Sequence, residues 1–289
     1  MAVDSTKLSS DTLDQLLRRQ NPFVTGLDIL DLGQVTFITP GGLVPLAAIC
    51  HALARQQRSL TIKVDNVAVR GYLMRSGFPA VVRNLASIEP ALPPVASLLS
   101  DMRRGTNPLL IELTLLESGS GLPQLLDQIV RVLRYRLKYK KYEAFDIATA
   151  VSEICQNTFD HNDQTCGFIA MQGYNGQKGR FIEIAVADFG IGLAQTLRRN
   201  PKNSHIKNDY DAIRHAAQLG TSEHDDPTRG TGLHHLLEIA YRHGGSVQIR
   251  SGAATVRYRM DKKQGWFFSA VPIPGVHISF GLRSKAKLD

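Results

Sequence analysis

The chain reads as an α+β protein: helices stacked on one face of a mixed sheet over residues 106–289, preceded by a smaller α/β unit over residues 1–105. Three observations predict this. Runs of β-branched and apolar residues, FIEIAVA (Phe181 to Ala187), SVQIRS, ATVRYRM and GVHISFGL, gather in the C-terminal part and have the alternation of strands. Ile147, Val151, Ile154, Cys155 and Thr158 fall on one side of a helix whose other side carries Glu153, Asn157 and His161 at four-residue spacing. Near the start, GLDILDL, VPLAAICHALARQQ and LTIKV follow one another in strand, helix, strand order.

In chain order, GLDILDL is a strand, ITPGGL a turn, VPLAAICHALARQQ a helix with an apolar face, LTIKV a second strand and VAVRGYLMRSGF helical. No catalytic cluster is visible in this first unit. Its last residues, ALPPVASLLSDMRRGTNP (91–108), have the Pro, Gly and basic content of a hinge, and ESGSGLP makes a second break. The basic helix RVLRYRLKYKKY (131–142) comes next, then the helix of Glu153 and the strand ending at Asp188. From Leu193 to Arg229 runs a long charged segment with a short helical pattern, DAIRHAAQL, that reads as a mobile cover. The pattern Leu233, Leu236, Leu237, Ala240 gives one more helix, and the three strands after Gly244-Gly245 complete the sheet, the first two separated by a Gly-containing turn.

Composition bounds the classes of function. A chain of 289 residues with 43% apolar content can bury a core in each of two domains. It has no run of about 18 apolar residues and its start lacks a basic-then-apolar signal, so a soluble, cytoplasmic protein without a membrane partner is expected. Cys50, Cys155 and Cys166 are odd in number and form no CxxC pair, as reduced thiols do. The nine His residues show no zinc spacing, and His234-His235 point about 100° apart on a helix. A net charge of +8 raises nucleic acid as a partner through residues 131–142. The apolar stripe of Leu126, Val130, Leu133 and Leu137 favours the plainer reading, in which the cations solvate an outer helix face.

Three motifs carry chemistry. A carboxylate one turn from a carboxamide, Glu153 and Asn157, suits metal-assisted phosphoryl chemistry: the amide oxygen can ligate Mg²⁺ and the carboxylate can deprotonate a nucleophile. Asp188 stands at the carboxyl end of a buried strand, where it can accept a hydrogen bond from an exocyclic amine such as that of adenine, and Gly190 and Gly192 permit a tight turn beside it. Arg229, Gly230, Thr231, Gly232 and Leu233 run into a helix whose free N–H groups can hold phosphates, although no Lys follows in the Walker pattern. Together they read as a nucleotide pocket.

In this order, the motifs VSEICQNTFDHN, ADFGIG and RGTGL resemble the GHKL (Bergerat-fold) ATPase superfamily over roughly residues 110–285, closest to the serine kinases that act as bacterial anti-sigma factors. The resemblance implies that Glu153 is the general base, Asn157 the Mg²⁺ ligand and Asp188 the adenine-recognising acid, with Gly190 and Gly192 shaping the base pocket and Gly230, Thr231 and Gly232 meeting the phosphates of ATP or ADP. Arg229 or Lys202 is then available to the outer phosphates. Residues 22–90, around LDLGQVTFITPGGLVPLAAICHAL, resemble a STAS domain of the anti-sigma-factor antagonist kind. Gly41 stands where such antagonists carry a phosphorylatable Ser; Thr39, two residues away, offers a substitute acceptor, against the plainer reading of a structural Thr before Pro40.

These resemblances imply a nucleotide-controlled protein-interaction switch, acting as an Mg²⁺-dependent ATPase or a serine/threonine protein kinase. Its partner would be a sigma factor or an antagonist-like regulatory protein, and homodimers occur in the family. A non-catalytic module that keeps nucleotide as a regulatory ligand, and nucleic-acid binding, are the competing classes.

Overall fold

A computed structural model describes residues 6–24, 26–92, 109–117, 119–160, 166–176, 179–218, 232–259 and 264–283. In chain order these form β1 (Lys7–Leu8), α1 (Leu13–Arg19), β2 (Ile29–Asp31), β3 (Phe37–Ile38), α2 (Pro40–Arg55), β4 (Leu60–Lys63), α3 (Val67–Arg75), α4 (Phe78–Val81), β5 (Ala86–Glu89) and β6 (Leu109–Leu116). There follow α5 (Leu122–Arg131), α6 (Lys141–Asp160), β7 (Gly167–Gly176), β8 (Gly179–Asp188), α7 (Leu193–Arg198), α8 (Asp209–Ala216), α9 (Gly232–Arg242), β9 (Ser246–Arg259) and β10 (Gln264–Arg283). The protein is thus of the α+β class, and most of the hinge expected at 91–108 lies outside the described residues.

The five-stranded sheet has the order β6-β7-β8-β10-β9, and each neighbouring pair is antiparallel rather than mixed. Parallel pairing is confined to β2-β4-β5 and to β1 with β3. The short links from β7 to β8 and from β9 to β10 return the chain beside itself, which allows only antiparallel pairing; the parallel pairs are joined through crossover helices.

Strand alternation divides the apolar residues of β8 between two cores. Ile182, Ile184 and Val186 pack with Ile147, Val151 and Ile154 of α6 and with Leu236 of α9. Ala185 and Ala187, with Phe168 and Ala170 of β7, pack on the opposite face against Leu43, Leu46, Ala47 and Cys50 of α2. Helices therefore cover both faces, not one. The three alanines of the sheet leave room for α2 to lie close to it, and α2 is apolar around most of its circumference because the sheet and β2-β4 enclose it.

The turn expected at ITPGGL is only partly a turn: α2 already begins at Pro40, whose fixed φ and missing N–H suit a first helical position. Gly42 is enclosed by the backbone of β1, since a Cβ there would meet the Leu8 carbonyl oxygen at 2.5 Å. The two strands expected in SVQIRS and ATVRYRM are one, β9, which passes through Gly252 at φ +54° without breaking. Its partner β10 takes in GWFFSAVPIP, a β-prone stretch interrupted by Pro272 and Pro274, through register shifts between Ser269 and Val276.

Two further expectations are corrected. The helix expected at 131–142 continues from α5 only as a wide turn over Val132–Arg136, reverses at Lys138 with φ +59°, and hands Lys141 and Tyr142 to α6. The cover expected from Leu193 is folded as far as residue 218: Leu197, Ile206, Ala212, Ile213 and Ala216 are buried in the core of α6, so α7 and α8 belong to the body of the protein. Residues 219–229 of that segment lie outside the described residues. Among the described residues, no helix is long and apolar enough to cross a membrane.

Candidate functional site

The apolar positions of α6 turn inwards and set its polar stripe outwards, so Glu153 is half-buried and Asn157 exposed. The first residue of α9 comes to this stripe from nearly eighty residues further along the chain. A Cβ built on Gly232 would stand 3.1 Å from the Glu153 Cβ, 3.6 Å from a Glu153 carboxylate oxygen and 3.6 Å from the Asn157 amide nitrogen. Glycine lets the start of α9 approach this closely; a larger residue would push the two helices apart.

The N–H groups of the first turn of α9 have no partners within the helix, and they begin beside an acid and a carboxamide. Among the described residues no hydrogen bond engages the Asn157 side chain, which leaves its amide oxygen for a ligand or a cation. Leu233 is different: it is buried in the core and anchors α9.

Glu153 has partners that the sequence reading missed. His235, one turn into α9, places Nδ1 3.3 Å from the Glu153 Oε2 atom and Nε2 3.1 Å from the Asp146 Oδ1 atom. Asp146 precedes Glu153 by two helical turns on the same stripe, and Arg242 pairs with its other oxygen. Burial alone would raise the Asp146 carboxyl. Hydrogen bonds from His235 and Arg242, together with the Arg242 charge, outweigh that and hold it below the usual carboxylate range. Only the doubly protonated ring donates to both carboxylates; the neutral ring satisfies one of them. The seven-residue step from Asp146 to Glu153 was readable in the sequence, but nothing local assigned them a histidine from another helix.

Asp188 ends β8 on the face that carries α6, in phase with Ile182, Ile184 and Val186, and it is buried. Its Cα partner is Gly167, and a Cβ on Gly167 would meet the hydroxyl of Thr158 at 2.5 Å, so the turn of α6 that bears Asn157 packs one strand away from Asp188. The Gly190 N–H donates to the Asp188 Oδ1 atom at 2.7 Å. Gly192 adopts φ +79° and starts α7, with the Leu193 N–H donating to the Ser251 hydroxyl. Gly275, at φ +87°, passes so near that a Cβ would lie 2.7 Å from the Asp188 Oδ1 atom.

The structure thus joins Glu153, Asn157 and Gly232 in one contact set and holds Asp188, Gly190 and Gly192 in a second set beside it. Arg229, Gly230, Thr231 and His161 lie outside the described residues. No group of three or more His, Cys, Asp or Glu among the described residues could hold a metal ion, so a cation here would need ligands from elsewhere.

The other face of β8 carries a second polar cluster. Glu183 accepts hydrogen bonds from the Thr39 hydroxyl (2.9 Å), the Gly41 N–H (2.9 Å) and the Ser279 hydroxyl (3.2 Å). Burial pushes its carboxyl above the usual range, and these donors with Lys7 draw it part of the way back. Gly41 is crowded: a Cβ would stand 2.7 Å from the Glu183 Oε1 atom and 2.9 Å from the Ser279 hydroxyl, so both side chains would have to shift. A polar groove of about 730 Å³ opens beside Glu183, between Lys7 and Arg283, and none of the predicted site residues lines it. The chain matches no protein-family model, and no curated protein is similar to it.

Proposed function

We propose that the chain is an ATP-binding regulatory protein of the GHKL type, with a Bergerat-type sandwich over residues 106–289 and a STAS-like unit before it. The observation that carries this reading is the meeting of Glu153 and Asn157 with Gly232, where the third glycine motif opens a helix, on the sheet face to which Asp188 belongs. An acid, an amide and a helix start brought together from distant parts of a chain suit a polyphosphate better than they suit packing alone.

The residues fit the ligands as a donor set. Mg²⁺ takes few protein ligands and completes its shell with water and phosphate oxygens, so the Asn157 carboxamide, which has no hydrogen-bond partner among the described residues, would hold it together with the phosphates of the nucleotide. When bound, the ion would neutralise developing phosphate charge. The first turn of α9 would meet phosphate oxygens. Asp188, already aligned by the Gly190 N–H, would accept from the exocyclic amine of adenine. Glu153 would take the proton of water or of an acceptor hydroxyl, and His235 would orient it, as a base is oriented by a third group.

A second reading has its own support. His235 already engages Glu153, which suits a chain that holds ATP or ADP as a ligand for a protein-interaction switch without rapid turnover. In either case Gly41 excludes the usual phosphoserine of an antagonist. Control then falls to nucleotide and to the contact of α2 with the sheet, read by a sigma-factor-like or antagonist-like partner or by a second copy of the chain.

Calorimetric titration with ATP and Mg²⁺, followed by phosphate release, tests this. Asp188→Asn should abolish ATP binding, Asn157→Ala should remove its Mg²⁺ dependence, and Glu153→Ala should spare binding while stopping release. Unchanged release in Glu153→Ala would favour the non-catalytic switch. Absence of ATP binding by the wild-type chain at millimolar concentration would end both readings.

A further inference from the structure

The corner between α5 and α6 has a composition that the nucleotide reading does not use. From Arg131 to Tyr142 the chain carries Arg131, Arg134, Arg136, Lys138, Lys140 and Lys141 and no acid. The wide turn and the left-handed Lys138 bury Val132, Leu133, Leu137 and Tyr139 in the core, which leaves the basic side chains towards the surface. Two aromatic rings go with them: Tyr135 and Tyr142 are each 63% exposed, and Phe145, one turn further, is 50% exposed. Single exposed rings are common on protein surfaces; three within eleven residues, on one basic corner, concentrate aromatic surface in one place.

Each ring also has a cation against it. The Arg134 guanidinium lies 5.2 Å from the centre of the Tyr135 ring, Lys140 6.0 Å from Tyr142 and Lys141 6.0 Å from Phe145. None of the six cations makes an ion pair among the described residues, and Asp127, a turn earlier on α5, pairs with none of them. Glu143, the nearest acid in sequence, is turned inwards, accepting from the Lys140 N–H at 3.0 Å. The result is a surface of paired positive charges and aromatic faces with no internal counter-charge.

We infer that the corner formed by residues 131–145 is a binding surface for single-stranded nucleic acid, in which Tyr135, Tyr142 and Phe145 stack on bases while the neighbouring Arg and Lys side chains meet phosphates. Aromatic faces decide between the polyanions. Bases stack on them whatever the sequence, whereas the carboxylates of an acidic protein segment gain nothing from them. A second copy of the chain would bring six like charges against six, which opposes self-association through this face. A duplex hides its bases and would leave the rings unused. The inference does not depend on the nucleotide site.

The test is fluorescence anisotropy of a labelled oligothymidylate of about 15 nucleotides, a length such surfaces span, with the full chain at low salt. Binding should weaken roughly 50-fold between 50 and 200 mM salt if about four phosphates are engaged. Each of Tyr135→Ala and Tyr142→Ala should weaken it about fivefold or more, and Tyr135→Trp should restore it. Arg136→Gln with Lys141→Gln should weaken it and flatten the salt dependence. Excess ATP should not displace the oligonucleotide, which separates this surface from the proposed nucleotide site. Both tyrosines are surface residues, so an unchanged melting temperature controls for folding. No binding at 50 mM salt, or binding lost with the cations but indifferent to the rings, overturns the inference. Polyglutamate that competes equally well in the tyrosine variants would instead identify an acidic protein partner, and would overturn it too.

Discussion

Removing the Glu183 carboxylate should loosen the contact between α2 and the sheet, and the size of the effect follows from its hydrogen bonds. Glu183→Ala leaves the Thr39 hydroxyl, the Gly41 N–H and the Ser279 hydroxyl without their acceptor. A buried donor left unmatched costs about 1–3 kcal/mol. Ser279 can turn towards the adjoining groove and water, so the loss reduces to the two donors at the start of α2, about 2–6 kcal/mol in all. In a chain of this size that lowers the melting temperature by roughly 3–10 °C. Glu183→Gln keeps an acceptor oxygen of the same reach and should cost less than about 1 kcal/mol at neutral pH.

The pH dependence separates the two substitutions further. Burial raises the folded-state pKa of Glu183 above its unfolded value, so the folded protein binds the proton more tightly. Wild-type stability relative to Glu183→Gln should therefore be highest in acid. It should decline as pH rises from the ordinary glutamate range through the folded pKa, and level off above it. Urea denaturation followed by circular dichroism from pH 4 to pH 8 measures both effects. An alanine variant as stable as wild type, or a glutamine variant as damaged as the alanine one, would refute the argument that these three donors depend on this oxygen.

Gly41→Ser should destabilise by about 1–3 kcal/mol in the same assay, because its Cβ would overlap Glu183 and Ser279. His277 is buried and its pKa is pushed down to about 4, first by burial and further by the Arg250 charge, with the Pro274 carbonyl opposing. The folded value lies below the unfolded one, so its contribution is complete above about pH 6.5 and is lost as pH falls towards 4, on the order of 3 kcal/mol; His277→Gln should flatten that part of the profile. Under the proposed function, His235→Ala should lower single-turnover phosphate release about tenfold at unchanged ATP affinity. Equal losses in binding and turnover would assign His235 a structural role.

Much of the candidate site was legible in the sequence because its parts are local. The four-residue step from Glu153 to Asn157 and the strand that delivers Asp188 follow from short-range periodicity, and Gly232 stands where an apolar helical pattern begins. The errors have one origin. SVQIRS and ATVRYRM read as two strands because glycine commonly marks a turn, whereas pairing with β10 on both sides of Gly252 keeps β9 continuous. Residues 193–218 read as a cover because they are charged, yet Leu197, Ala212 and Ile213 have a deep core to enter. Nothing local marks His235 as a partner of Asp146 and Glu153, which are more than eighty residues away.

By itself the sequence determined the α+β class, the separation of each helix and strand into a polar and an apolar side, and the acid and amide that α6 presents. Tertiary structure decided what each side meets: α2 on the sheet face opposite α6, Glu183 at the start of α2, and Gly232 with His235 against Glu153. Periodicity along a chain encodes which direction a side chain takes, because that depends on backbone geometry within a few residues. It does not encode the surface arriving from the other direction, which is set by packing among segments distant in sequence.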